Sequence, residues 1–130
     1  KLPDLFRLAG KVEAVHAEHP AVPRGLTPLL QALHAELLAH MEKEETILFP
    51  MLARGGTAFV ARPIAVMRAE HDDHAARVAQ MLALTHNATP PEDACATWRQ
   101  LSAGVREFAD HLRLHIQLEN DVLFHPFESP

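Results

Sequence analysis

Tyrosine is absent from this chain, tryptophan and cysteine occur once each, and no apolar run approaches the roughly 18 residues a membrane span needs. Each absence narrows the choice of function. A lone cysteine, Cys95, excludes an internal disulfide framework and suits a reducing compartment. No signal-peptide pattern is visible. The chain opens at Lys1-Leu2-Pro3 without an initiator Met, and residues upstream of it are expected. The net charge of −5 gives no reason to expect nucleic acid or a membrane surface as partner.

What the chain does have is helix-forming residues and histidine. Leu, Ala, Glu, Gln and Met are abundant. The 130 residues, 48% of them apolar, suffice for one domain with a real core. Ten histidines are many for this length, and the question is which of them face inward.

Periodicity predicts four helices. The first runs from about Pro3 to Glu18, with Leu5, Leu8, Val12 and Val15 as its stripe and His16 at its end. Residues 20–25, rich in Pro and Gly, form a connector. Thr27-Pro28 is a good helix start, and the second helix continues to about Ala53 before Gly55-Gly56. Its inward seam reads Leu30, Leu33, Leu37, His40, Glu44, Ile47, Met51. The third helix spans about Ala58 to His86, with a break expected near Pro63 and a seam of Val60, Ile64, Met67, His71, His74, Val78, Met81. The fourth spans about Glu92 to Leu123, with a seam of Leu101, Val105, Phe108, Leu112, His115, Glu119, Val122. Polar residues interrupt these seams at matching depth, which predicts an all-α, antiparallel four-helix bundle with a site in its core.

One pattern occurs twice. His40-Met41-Glu42-Lys43-Glu44 leads into Ile47-Leu48-Phe49, and His115-Ile116-Gln117-Leu118-Glu119 leads into Val122-Leu123-Phe124. Residues four apart share a helix face, so each copy aims an imidazole and a carboxylate at one spot. A carboxylate among leucines costs several kcal/mol to desolvate unless it is compensated. Two of them brought together also repel. Bound cations solve both problems, and bridging carboxylates with several imidazoles favour a non-haem pair of iron ions. The seams carry no Cys, which argues against a cluster or structural zinc site.

The competing reading of a single His-x-x-x-Glu is a surface pair, and repetition on two apolar seams is what counts against it here. His71 has a seam position. His74 has one too, a turn further on. The pattern leaves His16 open. His19, His34, His86, His111 and His125 are assigned beside the site or to the surface, and Glu42, Glu45 and Glu70 to a solvated face. The methionines read as core filler.

The order of these motifs resembles a family, the haemerythrin-like di-iron proteins for repair of iron centres. The resembling stretches are residues 11–16, 40–45, 47–50, 63–64, 70–72, 94–98, 115–120 and 123–124, which run over nearly the whole chain. The resemblance implies His16, His40, Glu44, His71, His115 and Glu119 as metal ligands, two iron ions joined by an oxo or hydroxo bridge, and one ligand His on the third helix, which sets His74 aside. It implies a cytoplasmic stress protein that binds nitric oxide or supplies iron for repair of iron–sulfur clusters, with iron–sulfur proteins as partners. The alternative is a haemerythrin-like oxygen binder or sensor. Reduction of nitric oxide and a homodimer are both open to such a domain. The family has a further ligand His upstream of the position of Lys1 and an amino-terminal Cys-containing domain, so residues 1–130 are expected to be the di-iron part of a longer protein. His125 stands where the family pattern has Arg.

Overall fold

A computed structural model describes residues 2–55 and 59–128. Among these residues the chain is helical, without strands. Helix α1 (Leu2–Val15) is followed by α2 (Leu26–Lys43), a π-helical segment (Glu44–Leu48) and α3 (Phe49–Ala53), which together make one long rod. Then come α4 (Ala61–Leu84) and α5 (Ala96–Leu118), the latter continued by a second π segment (Glu119–Phe124) and a 3-10 turn (His125–Phe127). α1 lies against α2 and α5, and α4 lies against the same two, closing a four-rod bundle.

The first corner is tied by a side chain. Glu13 near the end of α1 accepts hydrogen bonds from the Gly25 amide at 2.8 Å, from the Thr27 amide at 2.9 Å and from the Thr27 hydroxyl. Thr27 is therefore not the cap that its sequence position suggests. The helix starts at Leu26 after Gly25, whose φ of 89° suits glycine, and Glu13 supplies the acceptor from across the corner. Gly104 lets α1 close on α5, because a Cβ there would meet the Leu5 side chain. Pro63 produces no break. It lies in the first turn of α4, where its missing N–H has no helical acceptor to lose. α5 begins at Ala96, later than the expected Glu92. The expected start of the third helix at Ala58 falls outside the described residues.

The apolar seams fill the core as expected along most of their length. Leu30, Leu33, Val60, Ile64, Met67, Val78, Met81, Leu101 and Val105 are all buried. They depart from expectation after Glu44 and after Glu119. Ile47 is 53% exposed and Val122 65% exposed, whereas Leu48, Leu52 and Phe124 are buried. The π segments explain the shift. Each starts at its glutamate, and its wide turn inserts one residue into the helical count, which rotates everything downstream by about 100°. Both π segments run into a proline, Pro50 or Pro126, which cannot donate to the carbonyl four residues back, so the loosened turn costs little there. Val15, expected on the first stripe, is 75% exposed because α1 ends at that residue.

Candidate metal centre

Three rods bring four side chains to one point. His40 and Glu44 come from the α2 rod, His71 from the middle of α4, and Glu119 from the end of α5, and all four are buried. One ligating atom from each lies within 4.8 Å of every other. His71 Nε2 is 2.8 Å from Glu119 Oε1, His40 Nε2 is 3.3 Å from Glu44 Oε2, and His40 Nε2 is 3.9 Å from Glu119 Oε1.

These close approaches do not form hydrogen bonds. His40 Nε2, Glu44 Oε2, His71 Nε2 and Glu119 Oε1 are each buried without a hydrogen-bond partner. Native interiors rarely leave four such atoms unmatched, and here all four converge on a shared space. A cation among them would meet every lone pair at once and neutralise both carboxylates. The residues thus fit a metal ion, with a nitrogen and oxygen donor set that suits iron and other first-row metals.

Without that cation the electrostatics are strained. Burial alone would lower the pKa of His40, but Glu119, Glu44 and Glu70 together raise it to about 10. Burial raises the pKa of Glu44, and the neighbouring Glu119 adds to the rise. Burial opposes ionisation of Glu119 as well, yet His40 and His71 outweigh it and hold that carboxyl below the usual range. The site keeps a negative charge on Glu119 and a positive one on His40.

The rings are fixed from behind. His40 Nδ1 is 2.9 Å from Glu70 Oε1, and His71 Nδ1 is 2.8 Å from Asn120 Oδ1. Since Nε2 of each ring faces the cluster, Nδ1 carries the proton and donates. Glu70, expected on a solvated face, is instead partly buried, and Lys43 holds its other oxygen at 2.5 Å. Asn120 was not among the residues expected to matter. Its only sequence signal is adjacency to Glu119, which periodicity does not read.

The remaining expected ligands lie elsewhere. His115 Nε2 approaches the second oxygen of Glu119, Oε2, at 3.1 Å, but its side chain is 56% exposed and stands at the rim, outside the four-residue cluster. Glu119 therefore presents one oxygen to His71 and the other to His115. His16 is not brought to the centre. Its Nε2 lies 3.3 Å from Cys95 Sγ and its ring packs 5.1 Å from that of Trp98, at the corner where α5 begins. The reason is length: α1 ends beside the start of α2, and His40 lies fourteen residues beyond Leu26, about 20 Å at the helical rise. His74 is buried one turn past His71, edge-on to His40 at 5.0 Å, with Nδ1 unpartnered, yet it too lies outside the cluster. An apolar cavity of about 280 Å³ opens beside the centre, lined by His40, His71, His74, His111 and His115 with Phe108.

The family model described as the Hemerythrin HHE cation binding domain matches residues 2–125. Proteins named "Iron-sulfur cluster repair protein YtfE" from Salmonella paratyphi B, Salmonella newport and Salmonella heidelberg are each 51% identical to the chain over 124 residues, covering 95% of it. The chain spans just over half the length of these relatives, 56%. No helix among the described residues is long and apolar enough to cross a membrane.

Proposed function

The chain belongs to the haemerythrin HHE cation-binding family, and on that footing we propose that it is a di-iron domain of a stress-response protein that serves iron–sulfur cluster repair. The observation that carries this reading is the set of four buried, unpartnered donor atoms from three rods, two of them carboxylate oxygens. His40, Glu44, His71 and Glu119 hold one iron. Glu119 reaches across to a second position beside His115 with its other oxygen. Iron bound here supplies redox chemistry and an open position for nitric oxide.

The protein's own part is to hold, orient and shelter. Glu70 and Asn120 fix the two buried imidazoles with Nε2 inward. Phe124, Leu48 and Met67 pack below the centre and keep water from that side. The apolar cavity on the other side has room for a diatomic gas. The exposed rim at His115 would hold iron less firmly than the buried core, as a source of iron for repair requires. The chain works in the cytoplasm, with iron–sulfur proteins receiving the iron.

Iron content per chain, measured together with visible and electron paramagnetic resonance spectra before and after nitric oxide is added to the reduced protein, tests the proposal. Two irons per chain and a new nitric-oxide-dependent spectrum are expected. Full iron with no response to nitric oxide, but a spectrum formed with oxygen and reversed by degassing, would replace it with oxygen carriage.

A further inference from the structure

The two buried imidazoles of the centre are backed by chemically different groups. Behind His40 stands a carboxylate, Glu70, which accepts from Nδ1 at 2.9 Å. Behind His71 stands a neutral amide, Asn120, which accepts from Nδ1 at 2.8 Å. Asn120 is anchored in turn: Arg68 Nη2 donates to its backbone carbonyl at 2.7 Å and clasps Glu128 Oε1 at 2.6 Å. Successive residues of the second π segment thus embrace one ring from both sides, Glu119 at Nε2 and Asn120 at Nδ1.

An ionised acceptor draws the Nδ1 proton towards itself and makes the ring a stronger donor to a metal, whereas an amide fixes the ring with much less of that effect. We propose that Glu70 and Asn120 are positioning residues that make His40 the stronger and His71 the weaker nitrogen donor, so that the metal is gripped unequally across the centre. The proposal rests on the metal-binding reading above. Its consequence is directional: a metal would be held more firmly from the His40 side than from the His71 side.

Isosteric exchanges test it, with Co²⁺ as the probe on the full chain. Glu70→Gln gives His40 a neutral backing, and Asn120→Asp gives His71 an ionised one. Glu70→Gln is expected to weaken Co²⁺ binding about tenfold or more, and Asn120→Asp to tighten it. In the Co²⁺ form each backed ring has a solvent-exchangeable Nδ1 proton with a strongly shifted magnetic resonance. Each variant should move one such signal, and the two variants should move different ones. If both variants weaken binding alike, or move the same signal or none, the proposal fails, because a merely structural role has that outcome. Should Asn120→Asp fold poorly by circular dichroism, Glu70→Gln alone still decides through its single signal and its affinity. A wild-type chain that takes up no Co²⁺ would instead overturn the metal-binding reading itself.

Discussion

The ring of Phe124 lies flat on the ring of His71, with centroids 5.8 Å apart and planes within 5°. Phe124 is fully buried and comes from the second π segment, so the residue that closes the core under the cluster also fixes the plane of the His71 imidazole. Phe124→Ala should cost about 3 kcal/mol or more of stability through the cavity it leaves. It should also lower metal affinity, because His71 gains freedom to tilt. Urea unfolding and metal titration of the same sample check both. Unchanged affinity in a folded variant would show that Asn120 alone orients His71.

Glu44 and Glu119 set function against stability. Glu44 is buried, and burial together with the neighbouring Glu119 raises its pKa. Glu44→Gln removes an awkward charge at constant shape. The metal-stripped variant should therefore melt at the same temperature as wild type or a few degrees higher, as is common when a functional site is relaxed. Metal content should fall at the same time. Calorimetry of stripped protein and metal analysis of loaded protein make the comparison.

Much of this centre was legible in the sequence, for a physical reason. His40, Glu44, His71 and Glu119 occupy positions where the helical period requires Leu, and such positions are read from spacing alone. Every third-helix seam residue named from spacing, Val60 to Met81, is buried. The misplaced seam residues after Glu44 and Glu119 share one cause, the assumption of a constant period. Counting through the π turns places Ile47 and Val122 inward, because those turns insert a residue that period-3.6 counting does not foresee. Pro50 and Pro126 were the available hints. His16 was placed at the centre by resemblance, although its own position at the end of α1 put it at the opposite end from His40. Glu70 and Asn120 act through hydrogen bonds to rings on other rods, which no spacing within one helix encodes.

The protonation of His40 gives metal uptake a pH dependence. Glu119, Glu44 and Glu70 raise its pKa from 6.5 to about 10 against the effect of burial, so the favourable contribution of the charged ring is fully present below about 6.5 and is lost as pH rises through about 10. A metal must displace that proton. Uptake at neutral pH should release a proton from His40 and should strengthen as pH rises from 6 towards 9. Calorimetric titration in two buffers of different ionisation enthalpy counts the protons. Binding without proton release would mean that the imidazole is already neutral.

The Glu13 corner predicts a purely structural effect. Three donors at the start of α2 share its carboxylate, and this anion also stands at the positive end of that helix. Glu13→Ala should therefore cost about 2 kcal/mol, at the upper end for loss of a helix cap. Metal stoichiometry should stay as in wild type, because the corner lies at the far end of α2. Chemical denaturation together with metal analysis separates the two effects.

His16 decides between resemblance and geometry. Resemblance makes it a ligand, whereas the structure places it against Cys95 and Trp98, about 20 Å along α2 from His40. If geometry is right, His16→Ala binds as much metal as wild type with the same spectrum, and stability drops by no more than about 1 kcal/mol, since the side chain is only partly buried. His71→Ala, studied in parallel, should lose metal, because it removes a buried donor whose Nε2 touches Glu119. The two variants together exclude a trivial explanation, since both delete one imidazole of equal size. A loss of metal in His16→Ala equal to that in His71→Ala would require α1 to end beside the centre, which the Glu13 bonds to Gly25 and Thr27 do not allow.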